Sequence, residues 1–139
     1  MEITLFTAEQ ATALIPYLES RVRRIGSTKR ELDATLRRLE VLALIVGTGA
    51  AGDNPDAKAQ ERTQARARHL AREIEDEIEA IHARGVVMKD LDEGLVDFYG
   101  LRGDRLVFLC WKSGEEVVAH WHPLDQGYAA RQPLSTHEA

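Results

Sequence analysis

The chain carries a single cysteine, Cys110, among 139 residues. An intrachain disulfide is therefore excluded, and so is any zinc site built on several thiolates. No apolar run approaches the ~18 residues that a membrane-spanning helix needs. The opening residues Met1-Glu2-Ile3-Thr4-Leu5 have neither the basic start nor the apolar stretch of a secretory signal. A surplus of positive charge is missing too. The formal net charge of −5 argues against bulk nucleic-acid or anionic-membrane binding. There is no glycine loop shaped to cradle phosphate, no nucleophile elbow and no Ser-His-Asp pattern. These absences predict a cytosolic protein without a membrane partner. A chain this long can bury roughly two-thirds of its unfolded surface, so it folds without a disulfide staple.

What is present divides near Gly85. Residues 1–84 hold 13 basic and 14 acidic side chains for a net of −1, and residues 85–139 hold 5 and 9 for a net of −4. Hydrophobic spacing changes at the same place, from three and four residues to two. The fold class this predicts is α+β, with a long antiparallel helical hairpin over residues 1–84. A small antiparallel β-meander with an irregular tail follows over residues 85–139.

In the first half Thr7 and Gln10 form a capping-box pattern. Leu18, Val22, Ile25, Lys29, Leu32, Leu36, Leu39 and Ala43 follow in alternating steps of four and three, the rhythm of a coiled coil. Pro16 predicts a kink near residues 12–16. Gly47, Gly49 and Gly52 end the helix, and Asn54 with Pro55 suits the start of the next. A second stripe runs Gln60, Gln64, Ala67, Leu70, Ile74, Ile78 and Ile81, with Gly85 placed for a left-handed stop. A turn near residue 51 would set Arg21 beside Ile81, Arg24 beside Ile78 and Lys29 beside Glu73. The basic block Arg21–Arg30 then faces the acidic block Glu73–Glu79. Nearer the turn Arg37, Arg38, Lys58, Arg62, Arg66, Arg68 and Arg72 form a basic tip. Arg62 and Arg66 share one helix face, a spacing that suits a phosphate or carboxylate as well as a solvated surface.

The second half reads as strands at residues 86–88, 95–99, 105–111 and 116–122, with turns at 100–104 and 112–115. A two-residue Ser113-Gly114 turn pairs Trp111 with Glu116, Leu109 with Val118 and Val107 with His120. One face then carries Leu106, Phe108, Cys110, Val117, Ala119 and Trp121. The other carries Arg105, Val107, Leu109, Trp111, Glu116, Val118, His120 and His122. The first face belongs on a core, and the second needs a cover from the C-terminal tail or another subunit.

His120 and His122 project from one strand face, and two such imidazoles converge on a metal in many sites. With a carboxylate from Glu116, Asp92 or Glu115 they would suit a divalent metal such as zinc, iron or manganese. A turn at Arg102-Gly103 pairs Phe98 with Val107, which sends Asp97 to the face opposite the histidines. There it needs an ion-pair partner such as Lys89 or Arg131. The same parity makes Cys110 an inert buried thiol, out of reach of His120. The acidic loop Asp90-Leu91-Asp92-Glu93-Gly94 is too short for a calcium-binding EF-hand loop.

Several stretches resemble a prokaryotic family. They are Lys89-Asp90-Leu91-Asp92-Glu93-Gly94-Leu95-Val96-Asp97-Phe98, Leu109-Cys110-Trp111, Gly114-Glu115, Trp121-His122 and Gly127 with Arg131-Gln132-Pro133. Phe6-Thr7 and Ala13-Leu14-Ile15-Pro16 extend the resemblance over nearly the whole chain. The family is catalogued as domain of unknown function 2203, and Ala130 stands where its pattern has a glycine. The resemblance implies no activity. It directs attention to Lys89, Asp90, Asp92, Asp97, Glu115, His122 and Arg131.

A first helix near 40 residues would reach about 60 Å at 1.5 Å per residue, which is long for a domain of this size. The leading functional expectation is therefore an oligomeric scaffold or interaction module, a homodimer. A metal-binding protein or metal-dependent enzyme using the meander is the alternative. A further alternative is nucleic-acid or anionic-ligand binding at the basic tip of Arg37, Arg38, Arg62 and Arg66.

Overall fold

The computed structural model describes residues 2–47 and 55–135. Helix α1 covers Ala8–Ala13, α2 Ile15–Gly47 and α3 Pro55–Ala83. Five strands follow, β1 Val86–Asp90, β2 Leu95–Arg102, β3 Arg105–Lys112, β4 His120–His122 and β5 Gln132–Pro133. They form one antiparallel sheet in the order β1-β2-β3-β4-β5. The fold is α+β, a helical hairpin followed by a meander. The chain divides into two compact units, Met1–Gly26 with Glu77–Ala139 and Ser27–Asp76.

In the first unit the Thr7–Gln10 capping box forms with both reciprocal hydrogen bonds, 2.9 and 3.1 Å. The chain breaks at Leu14, so Pro16 is the second residue of α2, where a missing N–H breaks no helical hydrogen bond. Leu18, Val22 and Ile25 are fully buried, as is Ile81 farther along the chain. Gly85 ends α3 at φ +85°, and a Cβ there would lie 2.5 Å from Thr4 Cβ. Both conformation and space thus require glycine.

The antiparallel pairing shows as Arg21 to Glu77 at 2.9 Å in the first unit and Glu31 to Arg66 at 2.6 Å in the second. Arg21 therefore meets a residue one helical turn before Ile81. Counting outward from an assumed turn centre carries any error in loop length into every pair. Lys29 finds its partner within α2, in Asp33 at 2.9 Å, which lets a lysine sit half-buried in the apolar stripe. In the second unit Leu42, Ala67, Leu70 and Ile74 are buried. Thr63, not Gln64, completes their stripe, its hydroxyl donating to the Ala59 carbonyl at 2.7 Å. The Asn54 cap, Gly49 and Gly52 lie outside the described residues.

The sheet departs from the expected register. Arg102 pairs with Arg105, so Phe98 lies opposite Leu109, two residues from its expected partner, and face parity is kept. Residues 113–119 form a loop, and β4 returns with Cys110 opposite His120 and Phe108 opposite His122. That is a three-residue displacement, and an odd displacement exchanges the two faces. The Ser113-Gly114 turn itself closes, the Glu115 N–H donating to the Lys112 carbonyl at 3.0 Å. The displacement follows it. Glu115 turns back on the strand end, its carboxylate accepting the Lys112 N–H at 2.8 Å and its carbonyl the Trp111 indole N–H at 2.9 Å, and residues 116–119 do not continue the ladder. Glu19 of α2 holds the loop as well, accepting from the Gly114 N–H at 2.8 Å and the Ser113 hydroxyl.

The buried apolar face is therefore Val86, Val96, Phe98, Val107, Leu109, Trp111 and Trp121. Phe6 meets Phe98 edge-on at 5.2 Å, and the Phe6 N–H joins the Tyr99 carbonyl at 2.8 Å. Phe108 and Cys110 lie on the opposite face with Asp97, His120 and His122. The expectation that Cys110 sits on the core face, away from the histidines, is corrected. The C-terminal tail covers this second face, as one of the two expected covers.

Candidate functional site

Asp97 on β2, Cys110 on β3 and His122 on β4 occupy three neighbouring strands and one face. Their side chains are buried, and one ligand-type atom from each lies within 4.8 Å of the others. Asp97 and Cys110 are direct cross-strand partners. His122 is opposite Phe108, one step along the same face, with ring centroids 5.5 Å apart.

The imidazole has a fixed orientation. Its Nδ1 lies 2.8 Å from the Pro123 carbonyl oxygen, which can only accept, so Nδ1 carries a proton. Its Nε2 lies 3.0 Å from Asp97 Oδ2. Two lone pairs repel at that distance, so a second proton lies between the ring and the carboxylate. Imidazolium with carboxylate and neutral imidazole with carboxylic acid are both neutral overall. Burial pushes the Asp97 carboxyl above its usual range, while the charge and hydrogen bond of His122, and Lys89 beyond it, pull the other way.

Burial pushes the Cys110 thiol up to about 11, and the charge of Asp97 adds to the rise, while Arg131 opposes it. Burial and Asp97 outweigh Arg131, so Cys110 is a neutral thiol at pH 7. Lys89, the extra residue at the β1 irregularity, places its Nζ 4.0 Å from Asp97 Oδ2 and 4.6 Å from the Phe108 ring centroid. A small cavity of about 80 Å³ opens here, lined by Lys89, Leu95, Asp97, Cys110, His122, Gln126, Gly127 and Tyr128.

A second polar group closes one side. Arg131 holds both carboxylate oxygens of Glu115, at 3.1 and 2.6 Å, and packs 4.4 Å from the Tyr128 ring centroid. Burial would raise the Glu115 carboxyl. The hydrogen bond from Arg131, the Lys112 N–H and the charges of Arg131 and His120 outweigh it, leaving that carboxyl below its usual range.

Of the residues singled out in the sequence, Lys89, Asp97 and His122 come together, and Glu115 joins Arg131 beside Cys110. Asp97 and His122 meet because of the face exchange, which corrects their expected separation. Lys89 is a partner of Asp97, as expected, and Arg131 is bonded to Glu115. Asp90 is committed to its turn, its Oδ1 accepting the N–H groups of Asp92 and Glu93 at 2.9 Å each. Asp92 and Glu116 are exposed. His120 lies opposite Cys110 and Pro133, its Nδ1 buried and without a hydrogen-bond partner. Arg37, Arg38 and Arg62 are exposed, and Arg66 is bonded to Glu31.

Sequence reasoning considered Cys110 but put it on the wrong face, with Trp121. A signal was the second tryptophan, since Trp111 and Trp121 both belong on the core side, and that parity leaves Cys110 with the histidines. The class of protein is now defined, an α+β chain whose meander buries an Asp–Cys–His cluster beneath its tail. The chain belongs to the family described as uncharacterised conserved protein, DUF2203, whose model matches residues 4–134. Among curated proteins and solved structures, nothing matches. No helix among the described residues is long and apolar enough to cross a membrane.

Proposed function

We propose that this is a cytosolic metal-binding protein whose centre is Asp97, Cys110 and His122. One observation carries the reading, the approach of a carboxylate oxygen, an imidazole nitrogen and a sulfur within 4.8 Å of one another in a buried site. Ligands about 2.0–2.3 Å from a tetrahedral zinc ion lie roughly 3.3–3.7 Å apart, so modest side-chain movement would enclose an ion. The Nδ1–H to carbonyl bond of His122 is the arrangement that usually orients a metal-bound histidine through its other nitrogen. A thiolate disfavours magnesium, calcium and manganese and favours softer ions such as zinc or ferrous iron. With three protein ligands a fourth position stays open, as in catalytic rather than structural zinc sites.

Metal analysis of untagged protein, with cobalt(II) titration, tests this. One equivalent of metal should bind, with a thiolate-to-cobalt absorption band that disappears in Cys110→Ser and His122→Ala. Failure of the folded wild-type protein to bind zinc or cobalt at micromolar concentration would sink the reading.

A second, compatible reading is a homodimer. Leu36, Val41, Leu44 and Ile45 of α2 are large apolar side chains left 43–74% exposed, which favours association of this arm with another copy. Light scattering should give twice the chain mass at micromolar concentration, and Leu44→Lys should halve it. A wild-type monomer under those conditions refutes the dimer.

A further inference from the structure

The cavity beside the three ligands differs from its surroundings in charge. Three cations border it or its tyrosine, and each faces a carboxylate. Lys112 lies 3.2 Å from Glu93, Arg131 binds Glu115 through two hydrogen bonds, and Lys89 stands 4.0 Å from Asp97. The first two pairs are in hydrogen-bond contact. Lys89 is not, so its ammonium keeps donors for another acceptor. The Phe108 ring beneath Nζ holds that ammonium near the cavity.

Metal loading keeps this balance. A divalent ion takes the place of two protons. The ion with one carboxylate, one thiolate and a neutral imidazole is therefore neutral overall, as the protonated cluster is, and neither state offsets Lys89. The cavity then contains one uncompensated positive charge beside an open coordination position. Its volume of about 80 Å³ holds a few atoms and excludes a nucleotide or a sugar. Gln126 and Gly127 line its wall, residues whose polar groups can hydrogen-bond an oxygen ligand.

We infer that this cavity binds a compact oxyanion of the carboxylate or bicarbonate class, one oxygen on the metal's open position and the charge met by Lys89. The inference rests on the metal reading above and deepens it by naming the class of ligand the centre accepts. Lys89 is a binding residue for that anion, and the ligand's size limit is set by the tail residues Gln126, Gly127 and Tyr128.

Titration of the cobalt(II) protein with acetate, followed by its visible absorption, tests the inference. Acetate should shift the spectrum saturably at millimolar concentration. Lys89→Gln should weaken its affinity about tenfold per bound metal, and Lys89→Arg should restore most of it. Tyr128→Ala should widen tolerance towards longer carboxylates such as butyrate. A stoichiometric cobalt protein whose spectrum ignores acetate, or responds equally in Lys89→Gln, overturns the anion site and leaves the metal centre standing. A folded protein that takes up no metal overturns the metal reading and this inference with it.

Discussion

Zinc binding should expel about two protons, and this count follows from the hydrogen-bond geometry. Nδ1 of His122 keeps its proton, because the Pro123 carbonyl 2.8 Å away accepts it whether or not metal is bound. The proton between Nε2 and Asp97 Oδ2, which stand 3.0 Å apart, must leave when both atoms turn to the ion. The thiol proton of Cys110 must leave as well. With its pKa pushed up to about 11, that thiol is fully protonated at neutral pH. Each proton released makes affinity tenfold stronger per pH unit. Two protons give about a hundredfold, or about 2.7 kcal/mol per unit of pH. Calorimetric titration with zinc at one pH, in buffers of different ionisation enthalpy, reads the number directly as a slope. Cys110→Ala and Asp97→Asn should each reduce it to about one. Stoichiometric zinc binding by the wild-type protein with no proton release would refute the protonation assignment, since it would mean a preformed thiolate and an unprotonated pair.

Further outcomes concern the frame around the site. Arg131→Ala leaves two half-buried carboxylate oxygens of Glu115 without their bidentate partner and should destabilise the fold by about 1–3 kcal/mol, read from urea midpoints. Glu115 itself sets an acid limb. A depressed carboxyl adds stability above its unfolded value, which is lost as pH falls through the lower folded value. Wild type should therefore lose more stability between pH 5 and pH 3 than Glu115→Gln, and equal losses would contradict that role. Gly94→Ala places a side chain at φ +67° with its Cβ 2.8 Å from Ser113 Cβ. It should cost at least about 1 kcal/mol, and a thermal midpoint equal to that of wild type would count against the tight approach of these turns.

The helical half was legible because its signals are local. The capping box needs only Thr7 and Gln10, and the stop at Gly85 needs only a residue that accepts positive φ. The strands β1 to β3 were legible by alternation, and even a two-residue error in the β2–β3 turn left every side chain on its proper face. The return of β4 was not legible by the same means. It depends on where Glu115 directs its carboxylate and on how Glu19, 95 residues away in sequence, pins Gly114. A hairpin rule applied to Ser113-Gly114 counts residues between strands and contains no term for such a distant bond. One wrong parity then separated Asp97 and Cys110 from the histidines, and the site vanished from view although every member of it had been considered.

The buried pair of Asp97 and His122 raises a question that stability alone does not answer. Two ionisable side chains, exposed by 4% and 1%, lie buried in the sheet, and hydrophobic residues of similar volume commonly replace such pairs with no loss of stability. Removing one partner is different, because the other is left buried without its proton acceptor or donor, at a cost of about 3–5 kcal/mol. His122→Leu alone should thus be strongly destabilising, while Asp97→Leu with His122→Leu together should return the metal-free protein to within about 1 kcal/mol of wild type. The cycle separates two explanations of why the pair is there. Were it a structural element, the double variant would be as damaged as the single ones. Recovery of stability with complete loss of zinc binding means that the pair adds little to the fold, and that its place under the tail is explained by the ion it can hold.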